Sequence, residues 1–216
     1  MPRVFPVLTT ALALLAGNPG STLIRPAHIS PRSIRMQVLQ QRKDSVQNGR
    51  YTYPAALQQI YRNNQYGFSV RYPQAWTMQE SRQLKGSSLS TIVLFLSPLE
   101  TEKDASRENI NIVIENLPSA TMTLDAYTEA ALENEKAVFD GQYTVLASHD
   151  IPLGDMTAHR LAFIGRIGDG GPVWFEQIWF IRNGAAHVWT LAALEGSSDR
   201  YAQIFRGMLD TIAFRL

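Results

Sequence analysis

An Asn183-Gly184 pair between two long apolar runs constrains the fold of this chain more than any other feature of its sequence. A two-residue type I′ hairpin turn needs positive φ at both positions, and asparagine followed by glycine adopts that geometry most readily. The turn sets the register, so that Ile178 faces Trp189 and Gln177 faces Thr190. Because both faces of this hairpin carry apolar side chains, we expect two central strands that are covered on two sides.

Period-two alternation and turn signals predict the remaining strands. Residues 66–72 alternate aromatic or aliphatic side chains with smaller or polar ones, and Pro73 ends the run because proline cannot donate to a strand ladder. We therefore expect a mainly antiparallel sheet. Its other strands are predicted at residues 90–96, 109–115, 143–149, 157–167, 173–182 and 185–194.

Two amphipathic helices accompany these strands. Thr123 can cap a helix over residues 124–140. Glu135 falls within the apolar arc of that helix, where we expect its carboxylate to snorkel or to pair near the helix end. Another helix is predicted from Ser197 or Ser198, and helical spacing also occurs at residues 57–61. The predicted fold class is α+β, an antiparallel sheet flanked by helices in an αβα sandwich.

The charge distribution separates an N-terminal part from the predicted domain at residues 51–216. The formal net charge is +1, but residues 1–50 carry seven Lys or Arg against the single Asp44, which leaves the domain mildly acidic. A nucleic-acid partner would require a basic face on the domain itself. We therefore expect no nucleic-acid partner.

The N-terminus predicts export. An apolar run at residues 5–17 follows Arg3 and is too short to span a bilayer stably, which is typical of a signal peptide. We interpret residues 1–20 as that signal peptide and residues 21–50 as a flexible basic linker. A mis-set start codon, with Met36 as the true start, is the alternative.

The sequence predicts neither an active site nor a cofactor. The chain has no cysteine, which excludes disulfides, thiolate metal sites and catalytic thiols. Ser148, His149 and Asp150 are triad residue types, but neighbours on one strand point to opposite faces and cannot form a chain of nucleophile, base and orienter. The glycines at residues 168–171 precede a strand rather than a helix, which indicates a hairpin turn and not a phosphate loop.

Two histidines form a candidate metal site. A three-residue loop around residues 153–155 would place His149 opposite His159, and two imidazoles on adjacent strands can hold zinc or copper. Asp150 and Asp155 are the nearest further ligands, although both are also typical turn residues. A loop one residue longer would set His149 against Ala158, and a surface histidine pair without metal is the commoner arrangement.

The segment YGFSVRYPQAW at residues 66–76 is similar to the motif that opens PsbP-like and DcrB-like domains. We expect Trp76, which ends this motif, to be a buried anchor of the fold. Other matching pieces follow in the same order, and on them the chain resembles the PsbP/DcrB family from Tyr61 to Leu216. These pieces are NINIVI at 109–114, TLDAY at 123–127, the Leu153-Gly154 turn, the hairpin at 173–194 and the segment at 205–214.

The resemblance implies a central antiparallel sheet flanked by helices and an accessory role without catalysis. PsbP proteins support the oxygen-evolving side of photosystem II, and DcrB-like relatives are envelope lipoproteins, although this chain lacks the lipobox cysteine. We therefore expect an exported, non-catalytic binding or assembly module of the periplasm, cell surface or thylakoid lumen, with a protein partner such as a membrane complex. The alternatives are a small-ligand or divalent-metal-binding envelope protein and, third, a hydrolase.

Overall fold

The computed structural model describes residues 57–80, 89–99, 107–139, 142–166 and 171–215. The predicted signal peptide and basic linker lie outside these ranges and remain predictions. The strands are β1 (Gln59–Asn63), β2 (Phe68–Tyr72), β3 (Thr77–Glu80), β4 (Leu89–Leu96), β5 (Asn109–Asn116), β6 (Tyr143–Leu153), β7 (Met156–Arg166), β8 (Pro172–Arg182), β9 (Ala185–Leu194) and β10 (Ala213–Phe214). The helices are α1 (Leu124–Val138) and α2 (Ser198–Leu209), and a 3₁₀ turn at Glu195–Ser197 leads into α2.

The described strands form two antiparallel sheets. The larger sheet has seven strands in the order β3-β4-β5-β9-β8-β7-β6, and the smaller one has three in the order β1-β2-β10. The predicted α+β fold class, an antiparallel sheet flanked by helices, is confirmed. Strands β9 and β8 lie in the interior of the larger sheet, as the apolar character of both their faces predicted.

The Asn183-Gly184 turn sets the register of the central hairpin as predicted. Asn183 has φ 51° and Gly184 has φ 73°, the positive values that a type I′ turn needs. Ile178 pairs with Trp189, and Gln177 pairs with Thr190. Successive side chains of β8 and β9 therefore enter alternate faces of the sheet.

Different layers cover the two faces of the larger sheet. Helix α1 packs on one face, where the Phe139 ring that follows it lies 5.2 Å from Phe163 and 5.7 Å from Phe175, centroid to centroid. Helix α2 and the small sheet cover the opposite face, where the Phe68 ring lies 6.0 Å from Trp189. The αβα sandwich is thus completed on one side by a helix and on the other by a helix plus three short strands.

Trp76 is buried, as predicted, and its ring lies 5.9 Å from Tyr201 of α2. The helical prediction around residues 57–61 is wrong, because Gln59–Asn63 is strand β1. Tyr61 pairs with Val70 of β2 and is buried, whereas Ile60 is exposed, so the burial follows a strand and not a helix face. Among the described residues, no helix has the length and apolar composition that crossing a bilayer would require.

Candidate functional site

The β6–β7 hairpin carries the two histidines of the predicted metal site. Its turn holds only two residues, because Leu153 pairs directly with Met156. This register sets His149 opposite Arg160 and His159 opposite Asp150, so the prediction that the two histidines face each other is wrong. Residues that face each other across two strands share one face of the sheet, and His149 and His159 therefore point to opposite faces.

The altered register removes the geometric argument for a site that uses both imidazoles. Among the described residues, no cluster of three or more His, Cys, Asp or Glu side chains could hold a metal ion. Metal binding by His149 or His159 stays a prediction. Zinc titration calorimetry on the native protein, the His149→Ala variant and the His159→Ala variant would test each histidine separately.

His159 instead joins Ser148 and Asp150 in a continuous hydrogen-bonded chain. Its Nδ1 lies 2.6 Å from Asp150 Oδ1, and its Nε2 lies 3.0 Å from Ser148 Oγ. Ser148 and Asp150 are two residues apart on β6 and therefore point to the same face, while His159 reaches between them from β7. The order is serine, histidine, aspartate, with both ring nitrogens engaged.

The His159 ring is held in place by the neighbouring strand. It stacks on Trp179 of β8 with 5.0 Å between centroids and 26° between planes, and its side chain is only 10% exposed. The indole Nε1 of Trp179 donates to Thr128 Oγ1 of α1 at 2.8 Å, which ties this part of the sheet to the helix. The histidine is therefore ordered, while Ser148 and Asp150 reach solvent.

This arrangement can support two kinds of chemistry. If Nδ1–H donates to Asp150, the free electron pair on Nε2 accepts the Ser148 hydroxyl proton, as in a nucleophile, base and orienter chain. Catalysis would also need donors placed for a developing oxyanion. Without them, the same chain serves as a rigid, polar recognition element that presents a hydroxyl and a carboxylate on the sheet surface.

Sequence reasoning missed this chain because it considered His149, the sequence neighbour, rather than His159, the cross-strand neighbour. Ser148 and Asp150 do point to one face of the sheet and His149 to the other, as expected for neighbours on one strand. Placing His159 correctly requires the length of the β6–β7 turn. The sequence signal for a tight turn is Gly154, because glycine readily adopts positive φ, and Gly154 has φ 62° in the structure. A two-residue turn around that glycine puts His159 opposite Asp150.

Glu135 lies on the same face of the sheet, on the buried side of α1, and of its two expected outcomes it shows pairing near the helix end. It is 5% exposed and does not snorkel, and its Oε1 accepts a 3.2 Å hydrogen bond from Gln177 Nε2. Burial raises the pKa of Glu135 to about 8, and the Gln177 hydrogen bond opposes that rise. The carboxyl group is consequently protonated at neutral pH.

Strand β6 is the outer strand of the larger sheet and the element that exposes this surface. It is 11 residues long, and among the described strands it pairs with β7 alone. The opposite outer strand, β3, is described over Thr77–Glu80. Val145 of β6 is 47% exposed, so the edge offers both apolar contact and backbone groups without a strand partner in the described part of the chain.

Structural comparison places this architecture among known folds. The chain is similar to cyanobacterial PsbP (CyanoP) from Synechocystis sp. PCC 6803, with 17% identity, a TM-score of 0.54, and coverage of 73% of this chain and 92% of that one. A Pseudomonas aeruginosa protein described as a putative regulator of unknown function gives 17% identity and a TM-score of 0.49 over 73% of this chain and 97% of that chain. The yeast Ran-binding protein Mog1p gives 8% identity and a TM-score of 0.46 over 72% and 94%.

No protein-family model matches the chain, and no curated protein matches it in sequence. The likeness to CyanoP, at 17% identity, shows the fold alone. It agrees with the resemblance found in the segment at residues 66–76. The chain therefore has the fold of cyanobacterial PsbP.

Proposed function

We propose that this chain is an exported, non-catalytic binding or assembly-accessory module that engages a protein partner through the outer edge of β6. The observation that carries this proposal is that β6 has 11 residues, pairs with β7 alone among the described strands, and exposes Val145. A long outer strand normally invites pairing with another chain, and natural proteins shorten, charge or cover such edges unless a partner uses them. Here the partner would add an extended segment alongside β6.

Side chains beside the edge would give such a partner its specificity. In β-strand addition the main chain supplies affinity and the alternate side chains supply selectivity. The Ser148 hydroxyl and the Asp150 carboxylate, both held by His159, offer one acceptor-rich position on the face that carries α1. Val145 offers an apolar contact further along the same strand. A membrane complex, such as photosystem II, is the partner class that the family resemblance suggests.

Crosslinking in intact cells tests this proposal. A photoreactive amino acid at position 145 should give a discrete adduct with a membrane-complex subunit, and the same residue at position 78 should not. Met78 is a matched control because it is also an exposed apolar residue, 38% against 47% for Val145, but it lies on the opposite edge strand.

Purified complex should bind native protein and the Met78→Lys variant equally and the Val145→Lys variant weakly. Equal binding of all three proteins would remove β6 from the interface.

Export is tested separately. Cleavage after Ala16 is the expected processing event, and N-terminal sequencing of the protein from cells identifies it. Protein that remains in the cytoplasm with Met1 intact would contradict export without affecting the strand-pairing test.

A second candidate function, acyl transfer, is favoured by the geometry of Ser148, His159 and Asp150. In that case Ser148 Oγ attacks an ester carbonyl, His159 takes the hydroxyl proton and gives it to the leaving alcohol, and water then hydrolyses the acyl-serine. Fluorophosphonate labelling of the native protein, with Ser148→Ala as the control, distinguishes the two functions. Labelling that disappears in the Ser148→Ala variant supports acyl transfer, whereas no labelling leaves the binding role alone.

A further inference from the structure

The backbone of β6 alternates between groups that bond to β7 and groups that point outward. The β6–β7 turn holds two residues, with Leu153 and Met156 as the flanking pair, and Gly154 has φ 62° at its first central position. In such a hairpin the flanking pair exchanges hydrogen bonds, and hydrogen-bonded and non-hydrogen-bonded pairs then alternate along the strands. Ser148 and Asp150 fall in non-hydrogen-bonded pairs, so their N–H and C=O groups point away from β7.

Pro152 agrees with this pattern and marks one end of the outward-facing ladder. It pairs with Thr157 in another non-hydrogen-bonded position, so the missing proline N–H removes no bond from the hairpin. On the outer side the same residue offers only its C=O. A partner strand would therefore bond to Ser148 and Asp150 and lose a donor at Pro152, which limits pairing to the part of β6 before that proline.

Side chains alternate as well, and they give the two faces beside this edge opposite charge. On the α1 face, the side chain of Asp150 is 52% exposed and lies near the exposed Ser148. On the α2 face, the exposed His149 pairs with Arg160 of β7. A strand added outside β6 would place alternate residues on these two faces, so each face can select its own type of side chain.

The positive charge of the α2 face extends inward through two arginines. Arg160 Nε lies 2.6 Å from Glu176 Oε1, and Arg206 Nη2 of α2 lies 3.1 Å from Glu176 Oε2. Two guanidinium groups thus share one buried carboxylate, which leaves this group of three side chains with one positive charge in excess. A residue opposite His149 on an added strand would lie two strand spacings, roughly 10 Å, from Arg160. An acidic side chain at that position would approach Arg160 and gain from the excess charge.

We infer that the β6 edge selects an extended segment of a protein partner that carries an acidic residue opposite His149 and a basic residue on either side of it. The acidic residue would approach Arg160, and the basic residues would pair with the Asp150 carboxylate and donate to the Ser148 hydroxyl. This inference rests on the proposed pairing at β6 and names the chemistry of the partner. A second copy of this chain fits less well, because a symmetric antiparallel pair centred on His149 would set two positive faces side by side.

Two peptides of identical composition test this selection by ¹⁵N NMR titration of the full chain. The first, Thr-Val-Lys-Glu-Lys-Val-Thr, presents its acidic and basic residues on opposite faces of a strand. The second, Thr-Lys-Val-Glu-Val-Lys-Thr, has the same net charge but presents them on one face. The first peptide should shift the backbone amide signals of Ser148 and Asp150 saturably, and the second should bind at least tenfold more weakly. The amide of Ile151, which falls in a hydrogen-bonded pair with β7, should shift less.

A variant of the protein tests the α2 face separately. His149→Glu would set a carboxylate against the acidic residue of the first peptide and should weaken its binding at least tenfold, because like charges directly opposite each other repel. Gln79→Glu is the matched control, since it adds the same charge at an exposed position on β3, the opposite edge strand, and should leave the affinity unchanged.

Three outcomes would overturn the inference. Equal binding of the two peptides would refute the selection by charge while leaving pairing at β6 intact. Absence of a saturable shift with either peptide would refute it as well, and crosslinking at position 145 would then decide separately whether β6 is an interface. Shifts of the same amides on concentrating the protein alone, together with a dimer in sedimentation, would identify a second copy as the occupant.

Discussion

Glu135 gives the sharpest test of the packing between α1 and the sheet, through the Glu135→Gln substitution. Burial raises the pKa of this carboxyl group from 4.5 to about 8. The unfolded chain ionises Glu135 above pH 4.5, whereas the folded chain keeps the proton until pH 8. The folded state therefore binds more protons across this window, and the free energy of unfolding must fall as pH rises through it.

The size of the effect follows from the pKa difference. Each pKa unit corresponds to about 1.4 kcal/mol, so the stability lost between pH 4.5 and pH 9 is about 3 to 5 kcal/mol. Glutamine copies the shape of the protonated acid and can still accept the hydrogen bond from Gln177 Nε2. We expect Glu135→Gln to match the native protein near pH 4.5 and to be more stable by that amount at pH 9.

Urea unfolding followed by circular dichroism at several pH values measures the difference directly. The control is Glu129→Gln, which changes an exposed carboxylate on the same helix and should give a curve parallel to that of the native protein. A Glu135→Gln variant that follows the native pH dependence, or that is less stable than the native protein at pH 9, would refute the reasoning.

Three further predictions concern other buried contacts. Burial, and then the charge of Arg182, lowers the pKa of His187 from 6.5 to about 4. The free energy of unfolding should therefore fall by about 3 kcal/mol as pH falls from 6.5 to 4. In urea unfolding, the His187→Phe variant should lose less stability over this pH range than the native protein. Gly165→Ala would place a Cβ 2.5 Å from a Phe139 ring carbon and should cost about 1–3 kcal/mol of stability. Gly171→Ala is the control, because a Cβ at that position meets nothing within 4 Å. Thermal unfolding should therefore give a lower midpoint for Gly165→Ala than for Gly171→Ala. Trp76→Ala should cost about 3–5 kcal/mol in urea unfolding, and an unchanged midpoint would show that the ring contributes no packing.

Local signals in the sequence were sufficient for the central hairpin and both helix starts. The turn geometry at Asn183 acts within a few residues, and Thr123 Oγ1 accepts from the Ala126 backbone N–H as a capping residue should. The outer strand β6 was harder. A bulge between Val145 and Ala147 takes up one residue, so the pairing of Val145 with Phe163 follows a register that differs by one residue from the register nearer the turn.

The polar features of the site depend on contacts between residues far apart in the chain, which periodicity cannot supply. The partner of the buried Glu135 carboxyl group is the amide of Gln177, which is 42 residues away in the chain. The side-chain amides of Asn109 and Asn111 are buried without a hydrogen-bond partner in the described structure, whereas alternation predicts only that these residues lie in a strand. The Ser148–His159 contact likewise requires the exact register of two strands.

The pairing of β5 with β9 has a consequence for how the protein assembles. It joins two meanders, β3-β4-β5 and β6-β7-β8-β9, in which each strand pairs with the next strand along the chain. Of the residue pairs between β5 and β9, Asn116 and Ala185 are the two that lie nearest to each other in the sequence. Each meander can form from local contacts, while the seam between them must wait for a long loop to close, and such non-local pairing slows folding. Asn111 and Thr190 face each other across this seam. The row of buried polar side chains from Asn111 to Gln177 therefore cannot form in either half alone, and it is completed only when the two halves of the sheet meet.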